Sequence, residues 1–199
     1  MSLKVEQDGR VRHLTLASAG TRNLLNSGIA GDLLWELDSA DTDDGTGAVL
    51  LDAEGDVFCG GIEEGAAVPE ELFTFGPRAV KPVVIAMKGV ALSAGVALLA
   101  NAHVVVAAQG SSFGLTDLRE GRTDARVLKA VAAALGARRT RELALTGRIF
   151  TVPDALAWGL VHAVMPPFEL EDRARAVAQG LAGANAEAVR VLLGLFGSA

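Results

Sequence analysis

A stretch from Lys81 to Asp117, KPVVIAMKGVALSAGVALLANAHVVVAAQGSSFGLTD, leaves the chain few ways to fold. Val83–Met87 is a continuous apolar strand. It runs into a small-residue turn, Leu92-Ser93-Ala94-Gly95, which opens an apolar helix, and a second apolar strand, Val104–Ala108, follows. Strand, helix and strand in this order make a βαβ crossover. Small residues at the helix start let a ligand approach the backbone closely. The free N–H groups there, with the positive end of the helix dipole, favour a negative charge. The unit closes on Phe113-Gly114 and a carboxylate, Asp117. An acid beside an anion-binding helix terminus points to chemistry that makes an anion by moving a proton.

The rest of the chain repeats the alternation. Val11–Ala17 alternates as a strand should, and Asn23–Asp38 carries Leu24, Leu25, Ile29, Leu33, Leu34 and Leu37 at helical spacing. Ala48–Asp52 is a short apolar strand, and Val57–Ile62 is a strand end entering a glycine turn. Residues 63–80 are a connector with a short helix around Glu70–Phe75. Helices are expected over Ala125–Leu135, Ala137–Leu145, Val152–Trp158, Leu170–Ala182 and Ala186–Leu195, with a strand over Leu160–Val164. The fold class is therefore α/β, in one domain, with a core over about 1–135 and a helical region over about 136–199.

Several function classes are excluded by composition. A net charge of −6 argues against nucleic acid as the partner. No run of about 20 apolar residues free of charge appears, so no segment reads as membrane-spanning. The start, MSLKVEQDGR, lacks the apolar stretch of a secretion signal, which makes a cytoplasmic location the expectation. The lone cysteine, Cys59, cannot form an internal disulfide, and its expected role is packing. His13, His103 and His162 have no partners at ligand spacing. No metal site or cofactor is expected. His103 is expected at the surface or as a cap, and the other two as packing residues on strands.

Two glycine turns matter together. Gly60-Gly61-Ile62 follows one strand and Ser93-Ala94-Gly95 the next. If those strands are neighbours, the N–H groups of Ile62 and Ala94 can point at one oxygen. Two backbone donors aimed at a developing enolate oxygen are worth several kcal/mol in a dry site. Alone, either turn would be read as a packing corner.

With these residues in view, the chain resembles the crotonase superfamily, the enoyl-CoA hydratase/isomerase family. The matching stretches are RNLLN (Arg22–Asn26), DVFCGGIE (Asp56–Glu63), the Lys81–Asp117 unit, and LTGRIFTVPDALAWGLVHAVMP (Leu145–Pro166). The resemblance implies a crotonase-like fold of repeated ββα units with a helical C-terminal part, assembled as a homotrimer or dimer of trimers. It also implies an acyl-CoA thioester as substrate, with its carbonyl between the Ile62 and Ala94 donors. Arg22, Asn23 and Leu24 fall in the segment that lies along the CoA, and Gly60, Gly61 and Gly114 belong to the motifs shaping the substrate site.

The departures from the family pattern bear on the reaction. Hydratases of the family carry two glutamates; here Ala97 stands at one position and Asp117 at the other. Two-carboxylate hydration is then not expected. The pattern resembles the double-bond isomerase branch, in which one acid removes a proton from C2 and returns it at C4. Asp117 is one methylene shorter than glutamate, and a displacement of about 1 Å can cost about a hundredfold in rate. Glu120 and Asp124 follow in the same segment and are expected to be solvated loop charges. The connector after Gly61 is shorter than in the family, which implies loss of a helix covering the acyl pocket. The resemblance also leads one to expect a further helix beyond Phe196. Two alternatives stay open: another enolate or thioester reaction, such as decarboxylation or hydrolysis, and a non-catalytic homologue that regulates a partner.

Overall fold

In a computed structural model, described here for residues 2–197, the chain forms two sheets and eight α-helices. In chain order these are β1 (Leu3–Asp8), β2 (Val11–Leu16), α1 (Ser27–Thr42), β3 (Ala48–Ala53), β4 (Val57–Cys59), α2 (Phe75–Arg78), β5 (Val83–Met87), β6 (Val90–Leu92) and α3 (Ala94–Asn101). They continue with β7 (Val104–Ala108), β8 (Ser112–Gly114), α4 (Ala125–Leu135), α5 (Ala137–Thr146), β9 (Ile149–Thr151), α6 (Val152–Ala157), β10 (Ala163–Met165), α7 (Leu170–Ala182) and α8 (Ala186–Phe196).

The large sheet has the order β1-β2-β3-β5-β7-β10 and is parallel except for the β1–β2 hairpin. Its central strands read as unbroken apolar runs because both faces are covered. On β5, Val83, Ile85 and Met87 point into the main core, while Val84 and Ala86 point into a second core under α7. Helix α7 meets that face with Leu170, Ala174, Ala178 and Ala182, a stripe at four-residue spacing. Its small residues allow close approach. A Cβ on Gly47 would lie 2.6 Å from the Ala182 carbonyl oxygen. Helices α1, α3 and α4 cover the other face through residues such as Leu33, Leu98 and Val131.

The small sheet, β4-β6-β8-β9, positions the functional region. Strands β4, β6 and β8 are parallel neighbours, with Leu92 opposite Gly114 at their ends. Each follows a strand of the large sheet after a short turn, so the repeat is ββ, completed by a helix after β6. The three parallel strands therefore end side by side, at Cys59, Leu92 and Gly114.

Several sequence expectations shift. Helix α1 starts at Ser27 rather than Asn23, because Arg22 and Asn23 adopt φ of 57° and 49°, which no α-helix accommodates. Asn26 then caps it, its side chain accepting the Ile29 N–H at 2.9 Å. The connector holds a 3₁₀ turn at Glu70–Phe73 and α2 rather than one helix. The strand expected over Leu160–Val164 is Ala163–Met165, since the N–H groups of Leu160 and Val161 turn back to the Ala155 carbonyl. His103 is neither exposed nor a cap: it is part-buried, and its Nδ1 accepts the Val83 N–H at 2.9 Å. Its pKa is lowered, chiefly by burial. Among the described residues no helix is long and apolar enough to cross a membrane.

Candidate active site

Just beyond the ends of β4, β6 and β8 lies a cavity of about 240 Å³, lined in part by Ile62, Ser93, Ala94 and Asp117. One residue or pair comes from each strand end. Ile62 follows β4, Ser93 and Ala94 join β6 to α3, and Asp117 follows β8 and opens a 3₁₀ turn over Asp117–Glu120.

The Ile62 segment is held from below by the Arg22–Leu24 loop. The Leu25 N–H donates to the Gly61 carbonyl at 2.9 Å, and the Glu63 N–H donates to the Leu25 carbonyl at 3.0 Å. These bonds take the groups on either side of the Ile62 N–H, which has no partner among the described residues. Gly61 sits at φ 118°, so only glycine gives this peptide its orientation without strain. The Ala94 N–H is the first of α3 and likewise has no partner among the described residues, as expected for a helix start.

Asp117 is partly shielded, with its side chain 26% exposed, and Arg122 Nη2 lies 3.8 Å from its Oδ1. Burial raises its pKa above that of an ordinary aspartate; the Ser93 hydroxyl and Arg122 oppose that rise, while Glu120 and Asp124 add to it. Ser93 Oγ is itself buried and makes no hydrogen bond among the described residues. Ser93 also has φ 47° and ψ −101°, and its N–H donates to the Gly114 carbonyl at 2.8 Å. Ala97, one turn into α3, is fully buried and brings no second acid.

Of the residues singled out in the sequence, Ile62, Ala94 and Asp117 line the cavity; Arg22, Asn23, Leu24, Gly60, Gly61 and Gly114 do not. Asn23 is buried, accepting the Ser18 N–H and donating to the Glu54 and Val57 carbonyls, so its amide is committed to the backbone. The Gly60 N–H donates to the Arg22 carbonyl at 2.9 Å, and a Cβ on Gly60 would lie 3.0 Å from that oxygen. On Gly114 a Cβ would lie 2.8 Å from Ile149 Cδ1, which makes it a packing glycine between β8 and β9. Arg22 is exposed, with φ 57°.

Other wall residues were missed or misplaced by sequence reasoning. Glu63, Glu64, Arg122 and Arg126 line the cavity. Asp124, expected to be a solvated loop charge, caps α4 by accepting the Arg126 N–H at 2.9 Å, and it pairs with the Arg126 guanidinium at 2.6 Å. That hydrogen bond holds its pKa down. Glu120 is exposed and paired with Arg122. Asp117 also borders a second, apolar groove of about 510 Å³, walled by Leu115, Leu118, Leu128 and Leu145. Burial pushes the Cys59 thiol up to about 12, so it stays protonated and packs. Nδ1 of His162 accepts the Val105 N–H, and His13 pairs with Asp52 at 2.9 Å. Neither lines the cavity, and no cluster of metal-ligand side chains occurs among the described residues.

The model of the enoyl-CoA hydratase/isomerase family matches this chain over residues 6–196. The chain belongs to the enoyl-CoA hydratase/isomerase family. A mevalonyl-coenzyme A hydratase of Aspergillus fumigatus is 26% identical over 196 residues, spanning 90% of this chain and 72% of that one. Among solved structures, an enoyl-CoA hydratase from Mycobacterium tuberculosis H37Rv is 30% identical with a TM-score of 0.89, spanning 98% of this chain and 87% of that one. Human enoyl coenzyme A hydratase domain-containing protein 3 has a TM-score of 0.91 at 22% identity, spanning 98% of this chain and 83% of that one, a likeness of fold. The crotonase fold expected from the sequence is the fold of this family member.

Proposed function

We propose that this family member is a one-acid enolate enzyme acting on a CoA thioester, most simply moving a double bond along the acyl chain. The observation that carries it is the convergence of three adjacent parallel strand ends on one cavity, two with free N–H groups and the third with a half-buried carboxylate. The thioester carbonyl oxygen sits between the Ile62 and Ala94 N–H groups. Asp117, ionised, takes a proton from C2; the electron pair moves to the carbonyl oxygen as a dienolate, and Asp117 returns the proton at C4. Its raised pKa makes it a stronger base than an ordinary aspartate. Asp124 and Glu120 are poorer bases, the first held ionised by Arg126 and the second exposed and paired. With Ala97 in the core, the position after the second donor brings no acid to activate water. Both proton transfers use Asp117, so no cofactor is invoked.

The apolar groove beside Asp117 is the natural path for the acyl chain. Self-assembly as a trimer or dimer of trimers is part of the proposal. It is supported by apolar side chains left exposed on α8, Leu192, Leu195 and Phe196, and by Leu145, Ile149 and Leu156. The test is turnover of 3-enoyl-CoA to the conjugated 2-enoyl-CoA, followed by ultraviolet absorbance, with acyl-CoA binding measured by calorimetry. Asp117→Asn is expected to abolish turnover and leave binding intact. Turnover unchanged in that variant would remove Asp117 from the mechanism.

A further inference from the structure

Ser93 lines the cavity, and the proton transfers make no use of its hydroxyl. Two features at this residue each carry a cost. Its backbone, φ 47° and ψ −101°, is one glycine adopts freely and a residue with Cβ adopts only under strain. The hydroxyl is also buried with no hydrogen-bond partner among the described residues, on a residue only 2% exposed, and an unmet buried hydroxyl destabilises the fold. Glycine would remove both costs.

The placement suggests what the hydroxyl does. Ser93 stands on the sharp corner between β6 and α3, in the run Ala91-Leu92-Ser93-Ala94-Gly95. Gly95 is required there, since a Cβ would meet the Cys59 carbonyl oxygen at 2.7 Å. A serine on a strained strand-to-helix corner, two residues before a glycine, is the way acyl-transfer enzymes present a nucleophile, with the N–H of the next residue in the oxyanion hole. Here the next residue is Ala94, and the Asp117 carboxylate is the neighbouring base. The hydroxyl turns on a single side-chain bond with three staggered positions.

We propose that Ser93 is a nucleophile that accepts the acyl group of a CoA thioester, giving the chain a thioester-hydrolase activity. It rests on the same thioester occupying the same hole. Asp117 takes the Ser93 proton as Oγ bonds to the carbonyl carbon, and the carbonyl electron pair moves onto the oxygen facing Ile62 and Ala94. Collapse breaks the C–S bond; the CoA thiolate leaves with the proton from Asp117, and the acyl group stays on Ser93 as an ester. Water then attacks that ester with Asp117 as base, releasing a carboxylic acid and restoring the serine. The net reaction is thioester plus water to acid plus CoA.

The experiment first measures binding of acetyl-CoA and crotonyl-CoA to the whole chain by calorimetry. The same mixtures are then quenched in acid, free CoA is quantified by chromatography, and the protein is mapped by peptide mass spectrometry. Expected are an acyl ester on Ser93, a loss of CoA release by at least about a hundredfold in Ser93→Gly, and retained acyl capture in Ser93→Cys. Ser93→Gly removes backbone strain, so an undiminished melting temperature shows that the loss is chemical. Bound thioester with no CoA release by the wild-type chain overturns the nucleophile and leaves the enolate site standing. CoA release in Ser93→Gly within about threefold of wild type also overturns it. If neither thioester binds, the site itself is wrong and this inference falls with it.

Discussion

Gly61→Ala tests the first of the two proposed oxyanion donors, the Ile62 N–H. Gly61 sits at φ 118°, and a Cβ built there meets nothing within 4 Å, so alanine would meet a backbone penalty rather than a clash. That penalty is about 1–3 kcal/mol if the backbone stays in place. If the peptide instead rotates to relieve it, the Ile62 N–H swings away from the cavity. Removing one such donor costs about 10²–10³ in kcat, or roughly 3–4 kcal/mol of transition-state stabilisation. Gly159→Ala is the control: Gly159 is at φ 81°, also with nothing within 4 Å of its Cβ, and lies between α6 and β10 away from the cavity. The assays are urea unfolding and the isomerase rate, with exchange of the C2 proton in heavy water as a second readout. Both variants should lose stability to a similar degree, and only Gly61→Ala should lose its rate by about a hundredfold or more. Equal rates, with Gly61→Ala losing clearly less stability than Gly159→Ala because its peptide has rotated, would show that the Ile62 N–H does not hold the oxyanion.

Asp117 gives a pH prediction. Its folded pKa is raised, so the native state holds the proton more tightly than the unfolded chain, and stability falls as pH rises from the unfolded to the folded pKa. Under the proposed mechanism turnover needs the ionised form and should rise through the folded pKa. Asp117→Asn should therefore melt higher than wild type at neutral pH, match it at a pH below both values, and be inactive throughout; calorimetric scans across pH check this. Asp124→Ala loses the α4 cap and the Arg126 pair, and should cost about 1 kcal/mol or somewhat more in urea unfolding. Leu170→Ala empties a buried site between α7 and the sheet and should cost about 2–5 kcal/mol, with turnover per folded molecule unchanged.

The legibility of this chain follows burial. Strands β3, β5 and β7 stand out in the sequence because they are apolar on both faces, and α7 because its stripe repeats at helical spacing. The bounds expected for α4 and α7 are those observed. Strand β1 left no such signal: Lys4 to Gln7 are all exposed, and it is held by its hydrogen bonds to β2 at the sheet edge. Strands β6 and β9 have three residues each, too few for any period to show. At the site, the glycine turns and Asp117 were legible because their residue types are unusual for what surrounds them. Glu63, Glu64, Arg122 and Arg126 were not, since charged residues in loops look alike until the fold shows which of them face a cavity.

The sequence by itself determined the α/β alternation, the two corners where only small residues fit, and the absence of an acid at Ala97. Each is local: a hydrophobic period, a missing Cβ or a side-chain type. Tertiary structure alone decided that β4, β6 and β8 are parallel neighbours, which brings Ile62, Ala94 and Asp117 to one cavity from positions far apart in the chain. It alone also decided that Asn23 braces a loop, that Asp124 is neutralised by Arg126, and that the Ser93 hydroxyl is buried beside the acid. Those properties depend on which groups meet across strands and on how much water is excluded between them, and neither is encoded in any one segment.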